Sequence, residues 1–239
     1  MNIAIFTGAG ISAESGIETF RSGSNALWGN HNIDDVATPE GWEKNPQLVT
    51  DFYNQRRMQL NHVYPNDAHE ALVELEKGNN VTIITQNIDD LHERAGSTNV
   101  FKLHGDLKTV RSENDENIKY DWRYNPVDYK LDIASDGGRL RPHVVWFGEM
   151  PDQDAVTQGG VAIAECDILL IIGTSLQIGY TIPMLSLAPN EVYYIDPKPN
   201  YCLDEYVDIG QMAPINYVRK SAVEGVRYIV DKILEEVNI

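Results

Sequence analysis

The chain has 239 residues, 42% of them hydrophobic, and carries a formal net charge of −17 with a pI near 4.6. Phosphate backbones repel such a surface, so nucleic acid is not an expected ligand; the charge serves solubility or steers lysine-bearing partners. The longest apolar run, Ile168 to Ile172, is far too short to span a bilayer. Cys166 and Cys202 are too few for a disulfide framework or a four-thiolate zinc site. No basic-then-apolar leader precedes the first strand, so a reducing cytoplasm is the expected location.

The chain opens on an apolar run, Ile3 to Phe6, which predicts a buried strand. Gly8, Ala9 and Gly10 follow, then a small-residue turn with Ser12, Glu14, Ser15 and Gly16. A strand feeding a Gly-rich turn and a helix predicts a phosphate cradle, held by backbone N–H groups. The Gly8-x-Gly10-x-x-Ala13 spacing resembles the dinucleotide fingerprint, with a plain tight turn as the alternative, but no strand ending in an acidic residue sits about 20 positions on. A bound dinucleotide would have its ribose held in another way.

Residues 22–45 are polar and turn-rich and predict an ordered loop. From Asn45-Pro46, Leu48, Val49, Phe52 and Met58 recur at helical spacing, and Tyr53 and Arg56 share one face. Asp67 caps a second predicted helix, with Glu70 three residues on, and Gly78 ends it. Val81–Thr85 and Val100–Leu103 predict strands, ending in Gln86-Asn87 and His104-Gly105. Ligands of open parallel α/β sheets bind beyond the carboxyl ends of strands, so these endings suggest one crevice shared with Thr7-Gly8.

Lys108 to Leu140 is charged and loop-rich and predicts a small inserted module. Arg141 to Glu149 returns to strand character, Asp152 to Glu165 predicts a helix, and Asp167–Ile172 and Val192–Ile195 predict core strands. Ser221 and Glu224 predict a capping box before a helix with Val226, Ile229, Val230, Ile233 and Leu234 on one stripe. Strands alternating with helices predict an α/β fold with a mostly parallel, doubly wound sheet.

GAGISAESGIETFR, TQNIDDLHERAG, KLHG, RPHVVWFGE and GTS occur in this order, and together they resemble the sirtuins, NAD-dependent protein-lysine deacylases. DVATPEGWEKNPQLVTDFYNQRRMQL is most similar to bacterial class III members, which act on acidic acyl-lysines as well as acetyl-lysine. The resemblance implies one catalytic domain over 1–239. Its Rossmann-type part would comprise 1–22, 66–106 and 141–239. A smaller lobe would comprise a helical insertion, 23–65, and a second insertion, 107–140. The acyl oxygen of the modified lysine would attack the ribose carbon bearing nicotinamide. The products would be free lysine, nicotinamide and 2′-O-acyl-ADP-ribose.

The resemblance also implies residue roles. His104 would be the general base, and an imidazole titrating near 6.5 suits that task. Asn87 would share the catalytic centre. Gln86, Asn87, Ile88 and Asp89 would contact the nicotinamide and its ribose. Gly8, Ala9 and Gly10 would line the cofactor, Ile11 would pack on the nicotinamide, and Phe20 and Arg21 would belong to a cofactor loop. Gly173, Thr174 and Ser175 would contact diphosphate and ribose, Asp196 the adenosine ribose, and Ala222 the adenine. Tyr53 and Arg56 would grip the distal carboxylate of succinyl-lysine, with Ala37 leaving room for the longer chain. Phe147, Gly148 and Glu149 would form one edge clasping the peptide as an added strand.

Two features depart from the family pattern. The four cysteines that usually bind structural zinc are absent from Lys108 to Leu140, so a metal-free module held by its aromatics is expected. Gln177-Ile178-Gly179-Tyr180 replaces a more usual Val-Tyr-Pro-like run. Two rival readings remain open at this point. An NAD glycohydrolase or ADP-ribosyltransferase would break the same bond, and a non-catalytic NAD-sensing module would keep the crevice alone.

Overall fold

The computed structural model describes residues 1–18 and 31–237, with side chains to 235. Six parallel strands form the main sheet: β1 (Asn2–Thr7), β2 (Asn80–Thr85), β3 (Val100–Lys102), β7 (Ile168–Ile172), β8 (Glu191–Ile195) and β9 (Ile215–Val218). Their order across the sheet is β3-β2-β1-β7-β8-β9. The chain therefore winds outward from β1 in one direction, then returns beside it at β7. That reversal is a topological switch point, the place at which open α/β sheets bind their ligands.

Alternation within the strands explains the layers. Ile3, Ile5, Val81, Ile83, Leu170 and Ile195 point to one face, where α4 (Asp67–Leu75) and α9 (Ala222–Val237) cover them. Ala4, Phe6, Ile84, Leu169, Ile171 and Tyr194 point to the other, under α6 (Gln153–Ala164) and α7 (Thr181–Leu185). The expected stripe of α9 is buried against the first face. Its cap differs from expectation. Ser221 Oγ accepts from Glu224 N, but the carboxylate at this helix start is Glu14, which accepts from Val223 N at 2.9 Å and from the Ser221 hydroxyl. The cap of α4 falls one residue earlier than expected, on Asn66, whose partner in a capping box is His69.

Residues 33–44, expected as loop, form α1 (Ile33–Val36) and α2 (Pro39–Lys44), started by Asn32 and Thr38 caps. Helix α3 (Pro46–Gln59) buries Val49, Phe52 and Tyr53, whereas Met58, expected in the core, is half-exposed. Two short helices complete the fold, α5 (Leu91–Ala95) and α8 (Asp204–Asp208).

A second, antiparallel sheet has the order β5-β4-β6, with β4 (Gly105–Ser112), β5 (Lys119–Asp121) and β6 (Leu140–Val144). Residues 141–144, assigned from sequence to the Rossmann-type part, pair with β4 here, and the parallel sheet resumes only at β7. The aromatics Tyr120 and Trp122 pack on a small core of Val110, Val127, Ala134 and Leu140. Polar bonds fasten this lobe to its neighbours. Asn54 on α3 exchanges two 2.8 Å bonds with the Val127 backbone. The buried Arg57 donates to Leu107 O at 2.7 Å and to Asn54 Oδ1. The buried Asp90 carboxylate accepts the Tyr124 hydroxyl at 2.5 Å and pairs with Lys108 and Arg94.

Asn54→Ala deletes three of these bonds and leaves buried partners unmatched. A loss of about 2–3 kcal/mol is expected, lowering Tm by roughly 5–10 °C. Thermal unfolding measures it, and a drop under about 2 °C would mean that α3 does not hold this lobe.

Candidate functional site

At the switch point the backbones of two loops touch. A Cβ on Gly8 would lie 2.7 Å from Gly173 O, and one on Gly10 would lie 2.6 Å from Gly173 Cα. Gly173 itself has φ +59°, a conformation that favours glycine. Amides of this turn are spent on backbone carbonyls: Gly8 N on Ile172 O, Gly10 N on Gly173 O, and Ile11 N on Gly8 O. This corrects the expectation of a row of N–H donors. The turn supplies close approach and room, and the helix behind it is a 3₁₀ segment, Ala9–Ser15.

Side chains beyond β1, β2 and β7 then knit together. Gln86 Oε1 accepts from Thr174 Oγ1 at 2.8 Å, across the crevice. Thr174 O accepts from the buried Tyr194 hydroxyl, and Ser175 O from Asn200 Nδ2. Asn87 Nδ2 donates to Ser12 Oγ, and Ser12 donates to Asp89 Oδ2 at 2.9 Å. Asp89 Oδ1 accepts from Leu91 N. Burial raises the Asp89 pKa, against these bonds and the nearby Lys102 charge. Asp89 thus orients Ser12 and Asn87, and Ser12 is a participant that sequence reading passed over.

His104 follows β3. Its Nδ1 lies 3.0 Å from Gln86 O, and a carbonyl only accepts, so Nδ1 carries the proton. The neutral ring then keeps a lone pair on Nε2. Burial lowers the His104 pKa, opposed by the Gln86 bond. A lowered pKa keeps the ring neutral, with its Nε2 lone pair, through the neutral pH range.

His104 O accepts from Val145 N, which sets the next residue, Trp146, beside the α1–α3 cluster. Trp146 Nε1 donates to Tyr53 Oη at 3.1 Å, leaving the phenol proton available to an acceptor. Burial pushes the Tyr53 pKa up to about 12, so it remains a donor. Arg56 lies over the Phe52 ring at 3.2 Å and donates to Phe52 O. Burial brings its pKa down to about 10, which still leaves it cationic at neutral pH, and the Glu18 carboxylate acts in the opposite direction. Ala37 is buried in the same cluster and its carbonyl accepts from Phe147 N. Trp146 was legible only as one letter of a motif.

The remaining expected residues have these surroundings. Ile11, and Ala222 at the start of α9, are buried in the core cluster that α4 and α9 share. The Glu149 carboxylate is held by Arg141 at 2.8 Å and by Trp146 N, so its side chain braces the Phe147-Gly148 turn. Asp196 lies next to the glycine contact through the Gly173 N to Ile195 O bond, with its pKa raised by burial. Ile88 is half-buried and accepts from Leu107 N. Phe20 and Arg21 lie outside the described residues. Cys166 and Cys202 are free thiols. No group of three His, Cys, Asp or Glu side chains able to hold a metal ion occurs among the described residues.

This is the architecture of a dinucleotide-binding α/β enzyme with a histidine in its crevice. A profile of the Sir2 family matches residues 8–179, and the chain belongs to that family. It is 48% identical over 240 residues to an NAD-dependent protein deacylase of Helicobacter pylori, covering 98% of both chains. It is 47% identical to a protein of the same name from Bacteroides thetaiotaomicron, covering 94% of both. Among solved structures, a Sir2 homologue mutant in complex with ADP-ribose superposes with a TM-score of 0.86 at 33% identity, over 99% of this chain and 93% of that one. A Sir2 homologue–NAD complex gives 0.83 at 33% identity, over 98% and 90%.

Behind the crevice lies a buried pair, His69 and His92, with ring centroids 5.0 Å apart. His92 Nε2 is 3.0 Å from Thr7 Oγ1, which donates to Thr85 Oγ1. Burial lowers the His69 pKa to about 4 and the His92 pKa well below 6.5. A folded pKa below the unfolded value means that protonation favours unfolding. Their stabilisation is present above about pH 6.5 and is lost as pH falls toward 4, about 3 kcal/mol for His69 alone. His69→Gln keeps an acceptor at the capping position and removes that titration. Its Tm is expected to fall less between pH 6.5 and 4 than that of the wild type, and parallel Tm–pH curves would refute the assignment.

Proposed function

We propose that this protein is an NAD-dependent protein-lysine deacylase that removes succinyl and malonyl groups as well as acetyl. The observation that carries the proposal is His104, fixed with Nδ1 protonated and Nε2 basic, in the same crevice as the glycine contact. The site suits NAD. Gly8, Gly10 and Gly173 bring the loops after β1 and β7 into backbone contact, and Thr174, Ser175 and Asp196 follow at the same ends of their strands. When bound, NAD supplies a ribose carbon with nicotinamide as leaving group. Asn87, held by Ser12 and Asp89, reads the carboxamide, which both donates and accepts. His104 Nε2 takes a proton from a ribose hydroxyl. Phe147 and Gly148 offer one edge to the peptide.

The acidic preference rests on Tyr53 and Arg56. A phenol proton and a desolvated guanidinium on one helix face match the distal carboxylate of a succinyl chain. The test is mass spectrometry of matched acetyl-lysine and succinyl-lysine peptides with NAD. Arg56→Met is expected to lower kcat/KM for the succinyl peptide roughly 10–100-fold, the loss of a charged hydrogen bond, and for the acetyl peptide less than about threefold. Equal losses would remove Arg56 from acyl recognition. NAD consumption with both peptides intact would replace the deacylase by a glycohydrolase or transferase.

We also infer that residues 107–140 work without zinc. The sequence places no cysteine there, and Asn54, Arg57 and Asp90 supply the anchoring. Elemental analysis of purified protein is expected to find far less than one zinc per chain, with a Tm indifferent to chelator. Stoichiometric zinc would overturn this. Both cysteines are free thiols, which suits a cytoplasmic location.

A further inference from the structure

The lone pair that makes His104 a base is already engaged. Tyr180 Oη lies 2.7 Å from His104 Nε2, with the two rings edge-on and their centroids 6.1 Å apart. Because Nδ1 donates to Gln86 O, Nε2 of the neutral ring is the acceptor and the phenol is the donor. A single ring lone pair serves one donor well. A ribose hydroxyl that is to lose its proton to Nε2 must come within about 2.6–3.2 Å of it. Phenol and ribose therefore compete for one position.

The loop that carries Tyr180 is built for that placement. It leaves β7 through Gly173, and Leu176 has φ +52°, unusual for a bulky residue. Thr174 Oγ1 accepts from Leu176 N and donates to Gln86 Oε1, so one end of the loop is tied to the segment that holds His104 Nδ1. At the other end Tyr180 is half-buried against the α6/α7 core. The residue before it, Gly179, is exposed, and a Cβ there would meet nothing within 4 Å. The ring therefore has a fixed seat, on a loop whose backbone is unobstructed at Gly179. This is also the segment, Gln177 to Tyr180, where the sequence leaves its family's pattern.

We propose that Tyr180 is a displaceable cap on the general base, holding His104 Nε2 in the free protein and yielding that position to a ribose hydroxyl of NAD. The proposal rests on the reading of His104 as the base. In the free protein the cap keeps the imidazole in one tautomer and keeps water off the lone pair. On binding, the phenol gives up its bond and the ribose hydroxyl takes it. No proton changes owner in the exchange. Tyr180 is thus a positioning residue that opposes NAD, and its removal should favour the cofactor.

The test is Tyr180→Phe, which keeps the ring and removes the hydroxyl. Direct titration by calorimetry is expected to show Kd for NAD falling about fivefold, the Boltzmann factor of one net hydrogen bond. In deacylation, kcat/KM for NAD is expected to rise by the same factor, carried by KM. An unchanged or weaker Kd, or a tenfold loss of kcat, would overturn the cap and make Tyr180 a relay or a support. A second measurement reads the contact itself. The ¹⁵N resonance of His104 Nε2 in the free protein should move on Tyr180→Phe, and an unmoved resonance would refute the bond. If the wild type binds NAD but leaves acyl peptides intact, the deacylase reading fails while the two Kd values still decide the cap.

Discussion

Everything in the crevice depends on three glycines that allow two loops to touch. Gly8 and Gly10 after β1 meet Gly173 after β7, with backbone atoms where any side chain would collide. The contact closes the seam between the two central strands. Parallel pairing alone would leave their loops apart, because a switch point makes them diverge. From that seam the polar network follows in order: Thr174 reaches Gln86, the Gln86 carbonyl sets the tautomer of His104, and Asn87 and Asp89 converge on Ser12. The chemistry is placed by backbone proximity first and by side-chain bonds second.

The smaller lobe solves a different problem. A loop-rich insertion with a core of four buried apolar residues has little hydrophobic burial to hold it. Here buried polar bonds do the fastening, through Asn54, Arg57 and Asp90 on the neighbouring helices and loops. Such bonds are directional, so they fix the lobe's orientation as well as its presence. They also draw α3 close to β4, and α3 is the helix that carries Tyr53 and Arg56.

Much of this was legible from residues alone, for physical reasons. The alternating apolar strands and their polar ends marked the sheet and one shared crevice. The helical stripe of α9 was unmistakable. What stayed hidden depended on long-range partners. Residues 141–144 look like any strand, and only pairing shows that they join β4. Glu14 replaced Glu224 in capping α9 because a residue more than 200 positions away happened to reach it. The glycine turn suggested free amides, but their acceptors lie on another loop. Ile11 lies within a motif, and that its side chain is fully buried could not be read from the motif alone. Tyr180 could be seen as a departure, but not as a partner of His104.

The Glu14 contact also joins the glycine turn to the far end of the fold. Its carboxylate accepts the Val223 amide and the Ser221 hydroxyl, at the positive end of a long helix formed by the last part of the chain. Glu14 belongs to the short 3₁₀ turn that follows the glycines. A turn of that length has little cohesion of its own. The glycine turn and α9 are thereby coupled through one carboxylate: a change that displaces the start of α9 removes the partners of the segment directly behind Gly8 and Gly10.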